Sequence, residues 1–187
     1  MAGKLFVVSG PSGAGKGTLL ARVLPLVGNI HLAVSATTRQ PRKGEKDGVQ
    51  YHFLSEEGFD ELIKAGGLLE WASVHAARYG TPKPEVFEAL AAGQDVVLEI
   101  DTQGAMQVKA SYPQARMVFI EPPSIEELRH RLTDRGTEDA PTIERRLEAV
   151  AAELQTRGDY DKVILNDDLD IAADELLAYM QAEREKD

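Results

Sequence analysis

The sequence predicts an α/β protein with a parallel sheet and helices on both of its faces. Three observations support this. The apolar run Leu5-Phe6-Val7-Val8 leads into a glycine-rich stretch, Gly10-Pro11-Ser12-Gly13-Ala14-Gly15-Lys16-Gly17-Thr18, and a helical pattern follows over residues 18–26. Three further apolar runs recur at residues 96–100, 117–120 and 162–165, separated by helical patterns. All of these runs are continuous rather than alternating, which suits strands covered on both faces.

The first strand and its loop carry the clearest chemistry. A glycine-rich turn between a strand and a helix aims successive backbone N–H groups and a helix N-terminus at one point. Together they hold an anionic phosphate chain, and Lys16 adds a mobile positive charge for the terminal phosphates. Glycines let phosphate oxygens approach with no Cβ in the way. Between the first and second long runs the texture changes, over about residues 35–92. A polar loop at 37–50 precedes a short strand-like stretch at 51–54. Ser55 then caps a helix bearing Phe59, Leu62 and Ile63 that Gly66-Gly67 ends, and residues 68–74 read as another strand. Further on, Ser124-Ile125-Glu126-Glu127 forms a capping box. Ile143, Leu147, Val150 and Leu154 follow at helical spacing, as do Ile171, Leu176, Leu177 and Met180, and residues 183–187 read as a solvated helix end.

Composition narrows the classes. The 187 residues, 43% hydrophobic and 28% charged, fit one globular domain. A formal charge of -10 argues against wrapping a nucleic-acid backbone, which needs a positive surface. The absence of cysteine excludes disulfides, thiolate metal sites and a cysteine nucleophile. No stretch reads as a signal peptide or a bilayer span, so a cytoplasmic protein without membrane contact is expected. His31, His52, His75 and His130 show no metal-ligand spacing and read as structural or solvent-facing.

The loop Ser35-Ala36-Thr37-Thr38-Arg39-Gln40-Pro41-Arg42-Lys43-Gly44-Glu45, with Tyr51, offers two guanidinium forks and a phenol for one tetrahedral anion. On composition alone it reads more readily as a solvated surface loop. The wider pattern Thr37-Thr38-Arg39-x-x-Arg42-x-x-Glu45-x-x-Gly48-x-x-Tyr51-x-Phe53 resembles the signature of guanylate kinases. The resemblance continues through Tyr79-Gly80-Thr81, Leu98-Glu99-Ile100-Asp101-x-Gln103-Gly104, Arg135-Gly136-Thr137 and Asn166-Asp167-Asp168-Leu169.

That resemblance implies a P-loop kinase: a parallel-sheet core (1–34 and 93–187), a small mixed α/β GMP-binding insertion (about 35–92) and a helical lid (about 124–150). It implies ATP-dependent phosphorylation of GMP, and of dGMP, to the diphosphate in purine metabolism, with Mg²⁺ accompanying ATP. Under it Arg39, Arg42, Tyr51 and Tyr79 hold the GMP phosphate, while Ser35, Glu70, Thr81, Glu99 and Asp101 surround the nucleoside. Gly10 to Thr18 hold the ATP phosphates, Asn166 and Asp167 border the ATP base, and Arg131, Arg135 and Arg146 form the lid's positive side, Arg146 also reaching GMP. Lys16, Arg39, Arg135 and Arg146 would be catalytic.

The residues by themselves leave some roles open. Glu70 reads alone as a cross-strand surface partner, and the arginines of 129–146 alternate with acids as on a salt-bridged helical face. Two departures from the family pattern stand out. Gly17 occupies the place of a metal-binding serine or threonine, so no metal ligand is assigned, and Ala76-Ala77-Arg78 replaces a glycine-asparagine pair. A catalytically dead interaction module of the same family is the alternative reading. The presence of Lys16, Arg39, Arg42, Arg135 and Arg146 argues against it. Oligomeric state has no signal in the sequence.

Overall fold

The computed structural model describes residues 2–74, 76–134 and 140–186, with the side chains of Arg131, Leu132, Asp134, Ala140, Pro141, Thr142, Arg145 and Arg146 outside that description. A five-stranded parallel sheet is built from β1 (Leu5–Ser9), β2 (Ile30–Leu32), β7 (Asp95–Glu99), β8 (Arg116–Glu121) and β9 (Lys162–Leu165), in the order β2-β7-β1-β8-β9. Helices α1 (Lys16–Val27) and α7 (Leu169–Glu185) cover one face, and α3 (Lys83–Ala91) and α4 (Thr102–Ser111) the other.

The continuous apolar run of β1 follows from this sandwich. Phe6 and Val8 pack with Leu19, Leu20, Val23, Leu176 and Met180, whereas Leu5 and Val7 pack with Val86, Leu90 and Val108. Each such fully buried side chain contributes roughly 1.5–3 kcal/mol, so no position in β1 is free to be polar until Ser9 ends it.

A second sheet stands between β2 and β7 in the chain. It comprises β3 (Ala36–Thr37), β4 (His52–Phe53), β5 (Leu68–Val74) and β6 (Ala77–Pro82) in the order β4-β3-β6-β5, with β6 antiparallel to both β3 and β5. Helix α2 (Glu56–Lys64) packs Phe59, Leu62 and Ile63 on it, and the Ser55 side chain caps that helix by accepting the Gly58 N–H at 3.1 Å. The sheet is tied to α4 through Gln107, whose amide donates to the Trp71 carbonyl at 2.7 Å and accepts from the Trp71 N–H at 3.2 Å.

Helices α5 (Ile125–Asp134) and α6 (Ala140–Gln155) share a small apolar core of their own, Leu128, Ile143, Leu147 and Val150. Ser124 caps α5 by accepting the Glu127 N–H at 3.0 Å, as the capping box predicts. A 3₁₀ turn (Thr156–Asp159) leads on to β9.

Three expectations need correction, and two elements had no sequence reading. The run at 162–165 is an edge strand, with Val163 and Leu165 exposed, because β9 has only β8 beside it. Strand β2 and helix α3 went unread, the first for its three-residue length and mixed polarity, the second behind Pro82 and Pro84. Ile171 points to solvent, and Ala172, Ala173, Leu176 and Met180 carry the buried face of α7. Finally, the end of α7 is anchored rather than solvated. Glu183 is 5% exposed and pairs with Arg116 at 2.6 Å, while Arg184 donates to the carbonyls of Val27 and Gly28 that end α1.

Candidate active site

The loop after β1 takes the shape that its glycines imply. Gly10 lies at φ 136 against the Ile120 backbone, where a side chain has no room. Gly15, at φ 89, turns the chain into α1, whose N-terminus carries no side-chain cap. Those first-turn N–H groups therefore point at the loop's interior, the arrangement that holds a phosphate. The Lys16 ammonium folds back over the loop and donates to the carbonyls of Gly10 at 2.6 Å and Pro11 at 3.1 Å. Gly17 and Thr18 sit exposed in the first turn of α1. The Glu99 carboxylate is packed against Gly17, its oxygens 3.3 and 3.4 Å from where a Cβ would stand.

A cleft of about 520 Å³ runs from this loop to the second sheet. It brings together Gly10, Ser12, Lys16, Ser35, Tyr51, Glu70, Tyr79, Glu99 and Asp101 from six separate stretches of chain, all of them expected from sequence. Its position outside the C-terminal ends of β1 and β7 is where open parallel sheets bind ligands.

At the far end, Glu70 of β5 is 4% exposed and accepts a hydrogen bond from the Thr81 hydroxyl of β6 at 2.6 Å. Burial pushes its carboxyl up to about 7, the Thr81 hydrogen bond opposes that rise, and the charge of Asp101 adds to it. Asp101 is fixed as the N-cap of α4, accepting the Gly104 N–H at 2.8 Å. By itself the sequence makes Glu70 a cross-strand surface partner; the packing of β5 against α4 buries it almost completely.

The anion-gripping loop is ordered by its own glutamate. Glu45 receives both guanidinium nitrogens of Arg39, at 2.9 and 3.0 Å, and the Arg42 backbone N–H at 2.6 Å. The Arg39 guanidinium holds the Glu45 carboxyl below its ordinary range. Arg39 also lies 5.3 Å over the Tyr51 ring and 5.8 Å over Phe53, and Tyr51 meets Tyr79 edge-on at 5.8 Å. Burial raises the Tyr51 hydroxyl, which keeps it a neutral donor. The Arg42 side chain is exposed beside this cluster.

Other expected residues stand elsewhere. Asn166 is buried beneath the phosphate loop and donates its side-chain N–H to the Ala14 carbonyl at 2.7 Å, while Asp167 is exposed. Arg135 lies outside the described residues, as do the side chains of Arg131 and Arg146. Arg78 turns away from the cleft, stacking 4.8 Å over Phe59 and pairing with Asp60 at 2.6 Å and with Glu56, so this departure from the family pattern braces α2.

Sequence reasoning missed Glu153 and Ser73 in the cleft lining and gave Gln103, a residue of the family pattern, no role there. Glu153 comes from α6, faces the positive charge of Lys16 and accepts the Ser12 N–H, and burial raises its carboxyl. The available signal was helical spacing, since Glu153 stands one two-turn repeat after Arg146.

Comparison with known proteins agrees with this arrangement. The family model for guanylate kinase matches residues 2–183. Guanylate kinase of Synechococcus sp. (strain CC9902) is 51% identical over 179 residues, 96% of each chain. Guanylate kinase of Dechloromonas aromatica (strain RCB) is 52% identical over 182 residues, 97% of this chain and 90% of the other. A crystal structure of guanylate kinase from Anaplasma phagocytophilum superposes with a TM-score of 0.83 at 35% identity, covering 99% of this chain and 88% of that one. A glycine-rich loop facing a glutamate- and tyrosine-bearing sheet across one cleft, and a sequence match along nearly the whole chain, place this protein in the guanylate kinase family.

Proposed function

We propose that the protein transfers the γ-phosphoryl group of ATP to GMP, and to dGMP, yielding ADP and the guanosine diphosphate. The observation that carries this reading is the single cleft with Lys16 and its glycine loop at one end and the Glu70–Thr81 pair at the other. Guanine presents N1–H and an exocyclic amine as adjacent donors, which one carboxylate accepts together. Adenine sets an acceptor there and leaves a buried group unpaired, a mismatch worth roughly 10⁴ in selectivity.

In the transfer, an ionised oxygen of the GMP phosphate attacks the γ-phosphorus and forms a new P–O bond while the bond to the β-bridging oxygen breaks and ADP leaves. The acceptor is already an anion, so no general base is required. Alignment and positive charge do the work. Gly10, Pro11, Ser12, Gly13, Ala14, Gly15, Gly17 and Thr18 would cradle the donor phosphates and Lys16 would neutralise charge on the moving group. Asn166 supports that loop, with Asp167 toward the ATP base. Arg39, Arg42, Tyr51 and Tyr79 would hold the acceptor phosphate, with Ser35, Glu70, Thr81, Glu99 and Asp101 around the nucleoside. Arg131, Arg135 and Arg146 would close from the lid, about residues 124–150, over a core of 1–34 and 93–187, with the insertion of about 35–92 closing from the other side.

Mg²⁺ with ATP fits the donor set. Glu99 and Asp101 supply hard oxygens beside the loop, and Gly17 leaves the Glu99 carboxylate room against the first turn of α1. Among the described residues no three His, Asp or Glu side chains could hold a metal ion alone, so nucleotide oxygens would complete its shell. Bound there, it would neutralise phosphate charge. Among the described residues no helix is long and apolar enough to cross a membrane; the proposed setting is the cytoplasm.

Coupled ADP release with GMP, dGMP, AMP, UMP and a sugar phosphate tests the assignment. GMP should give by far the highest kcat/KM. Comparable turnover of AMP would refute it.

A further inference from the structure

Gly104, in the first turn of α4, has an ordinary helical backbone and is absent from the left-handed glycines of the chain. Nothing in its conformation calls for glycine, and alanine is the better helix former. What forbids a side chain is Glu70. A Cβ at position 104 would stand 3.0 Å from the Glu70 carboxyl carbon, 3.5 Å from its Cγ and nearer still to Oε2.

Glu70 has no easy retreat. The Thr81 hydroxyl holds its other oxygen at 2.6 Å, and β5 is pinned to α4 by both hydrogen bonds between Trp71 and Gln107. The carboxylate therefore lies between a donor on one side and the bare face of Gly104 on the other. Gly80 provides the contrast: a Cβ there would meet the Glu70 carbonyl oxygen at 2.9 Å and the Trp71 Cβ at 3.0 Å, so it serves the strand pair and not the side chain.

We infer that Gly104 is a specificity-setting position: its missing side chain fixes where the Glu70 carboxylate meets the acceptor base, and so which bases are accepted. This rests on the reading of Glu70 as the base-recognising group. A methyl group at 104 drives the carboxylate off Thr81 and out of register with paired donors. The phosphate end of the cleft is untouched, so binding of the base suffers while donor binding does not.

The test is a double-mutant cycle of Gly104→Ala and Glu70→Ala, read by calorimetric Kd for GMP, by kcat and KM for both nucleotides, and by thermal melting. Gly104→Ala should weaken GMP by about 10- to 100-fold, the loss of one or more hydrogen bonds to a charged group, with KM for ATP unchanged. In the Glu70→Ala background the same substitution should cost less than about twofold, because there is no carboxylate left to displace. An equal loss in both backgrounds, or a normal Gly104→Ala beside an impaired Glu70→Ala, overturns the inference alone. An unimpaired Glu70→Ala overturns the reading of Glu70 and the inference with it. Should Gly104→Ala fail to fold, folding of the double variant supports the steric pairing, and its failure too overturns it.

Discussion

The Glu70 carboxyl offers the sharpest prediction, because its burial sets both a stability and a binding profile. Its value in the folded chain is raised from 4.5 to about 7. Between those values the folded protein binds more protons at this site than the unfolded chain. Stability from Glu70 is therefore fully present below about pH 4.5 and is lost as pH rises toward 7. The rise corresponds to roughly 3 kcal/mol. Glu70→Gln, which keeps an acceptor for Thr81 and cannot ionise, should remove that loss, so its melting curve should gain on the parent's between pH 5 and 8. Binding runs the other way. Two base donors need the carboxylate, so GMP affinity should fall about tenfold per pH unit below 7. The GMP phosphate titrates near about 6 as well, and the glutamine variant separates the two because it retains only the phosphate's contribution. Calorimetric titrations from pH 5.5 to 8.5 provide the readout. Parallel pH slopes for parent and variant would refute both the raised value and the assignment of Glu70 to the base.

Three further perturbations address the other parts of the site. Lys16→Ala should lower kcat by orders of magnitude with little change in GMP affinity, since its charge acts on the transferred group; steady-state kinetics showing near-parental kcat would exclude that role. Arg42→Ala and Tyr51→Phe should each weaken GMP by about 10- to 100-fold and leave ATP alone, corresponding to about 1.5–3 kcal/mol per hydrogen bond to a charged group; equal losses for both nucleotides by calorimetry would move them off the acceptor phosphate. Asn166→Ala removes the donor to the buried Ala14 carbonyl, at a cost of about 1–3 kcal/mol. It should lower the melting temperature by several degrees and raise KM for ATP without altering KM for GMP.

The sheet core was legible because burial on both faces leaves a simple mark. Residues 5–8, 96–98 and 117–120 can be apolar throughout only where helices cover both sides. The same rule misplaced β9, since an edge strand borrows the apolar composition while exposing Val163 and Leu165. It passed over β2, whose three residues are too few to show a period. The glycines and Lys16 marked the loop after β1 because their spacing along the chain is itself the geometry, whereas Arg39 and Arg42 were singled out by the family resemblance. Asn166 stands out only through the family pattern, and its hold on the Ala14 carbonyl has no mark in the sequence. Its role depends on the end of β9 lying beneath the loop after β1, a contact across most of the chain.

Charge is where sequence and structure differ most. A formal charge of -10 sits badly with two anionic nucleotide substrates, and the cleft itself gathers Glu70, Glu99, Asp101 and Glu153 with Lys16. Counting side chains predicts repulsion, but burial changes the count. It raises the carboxyl of Glu153, and it raises that of Glu70 to about 7, which lowers the negative charge Glu70 carries near neutrality. Both also have backbone or side-chain donors to accept from, Thr81 for the first and Ser12 for the second. Which carboxyls behave this way depends on what packs over them, as the first turn of α4 does at Glu70, more than thirty residues away in sequence. Formal charge, read along the chain, therefore says nothing about the cleft where anions are proposed to bind.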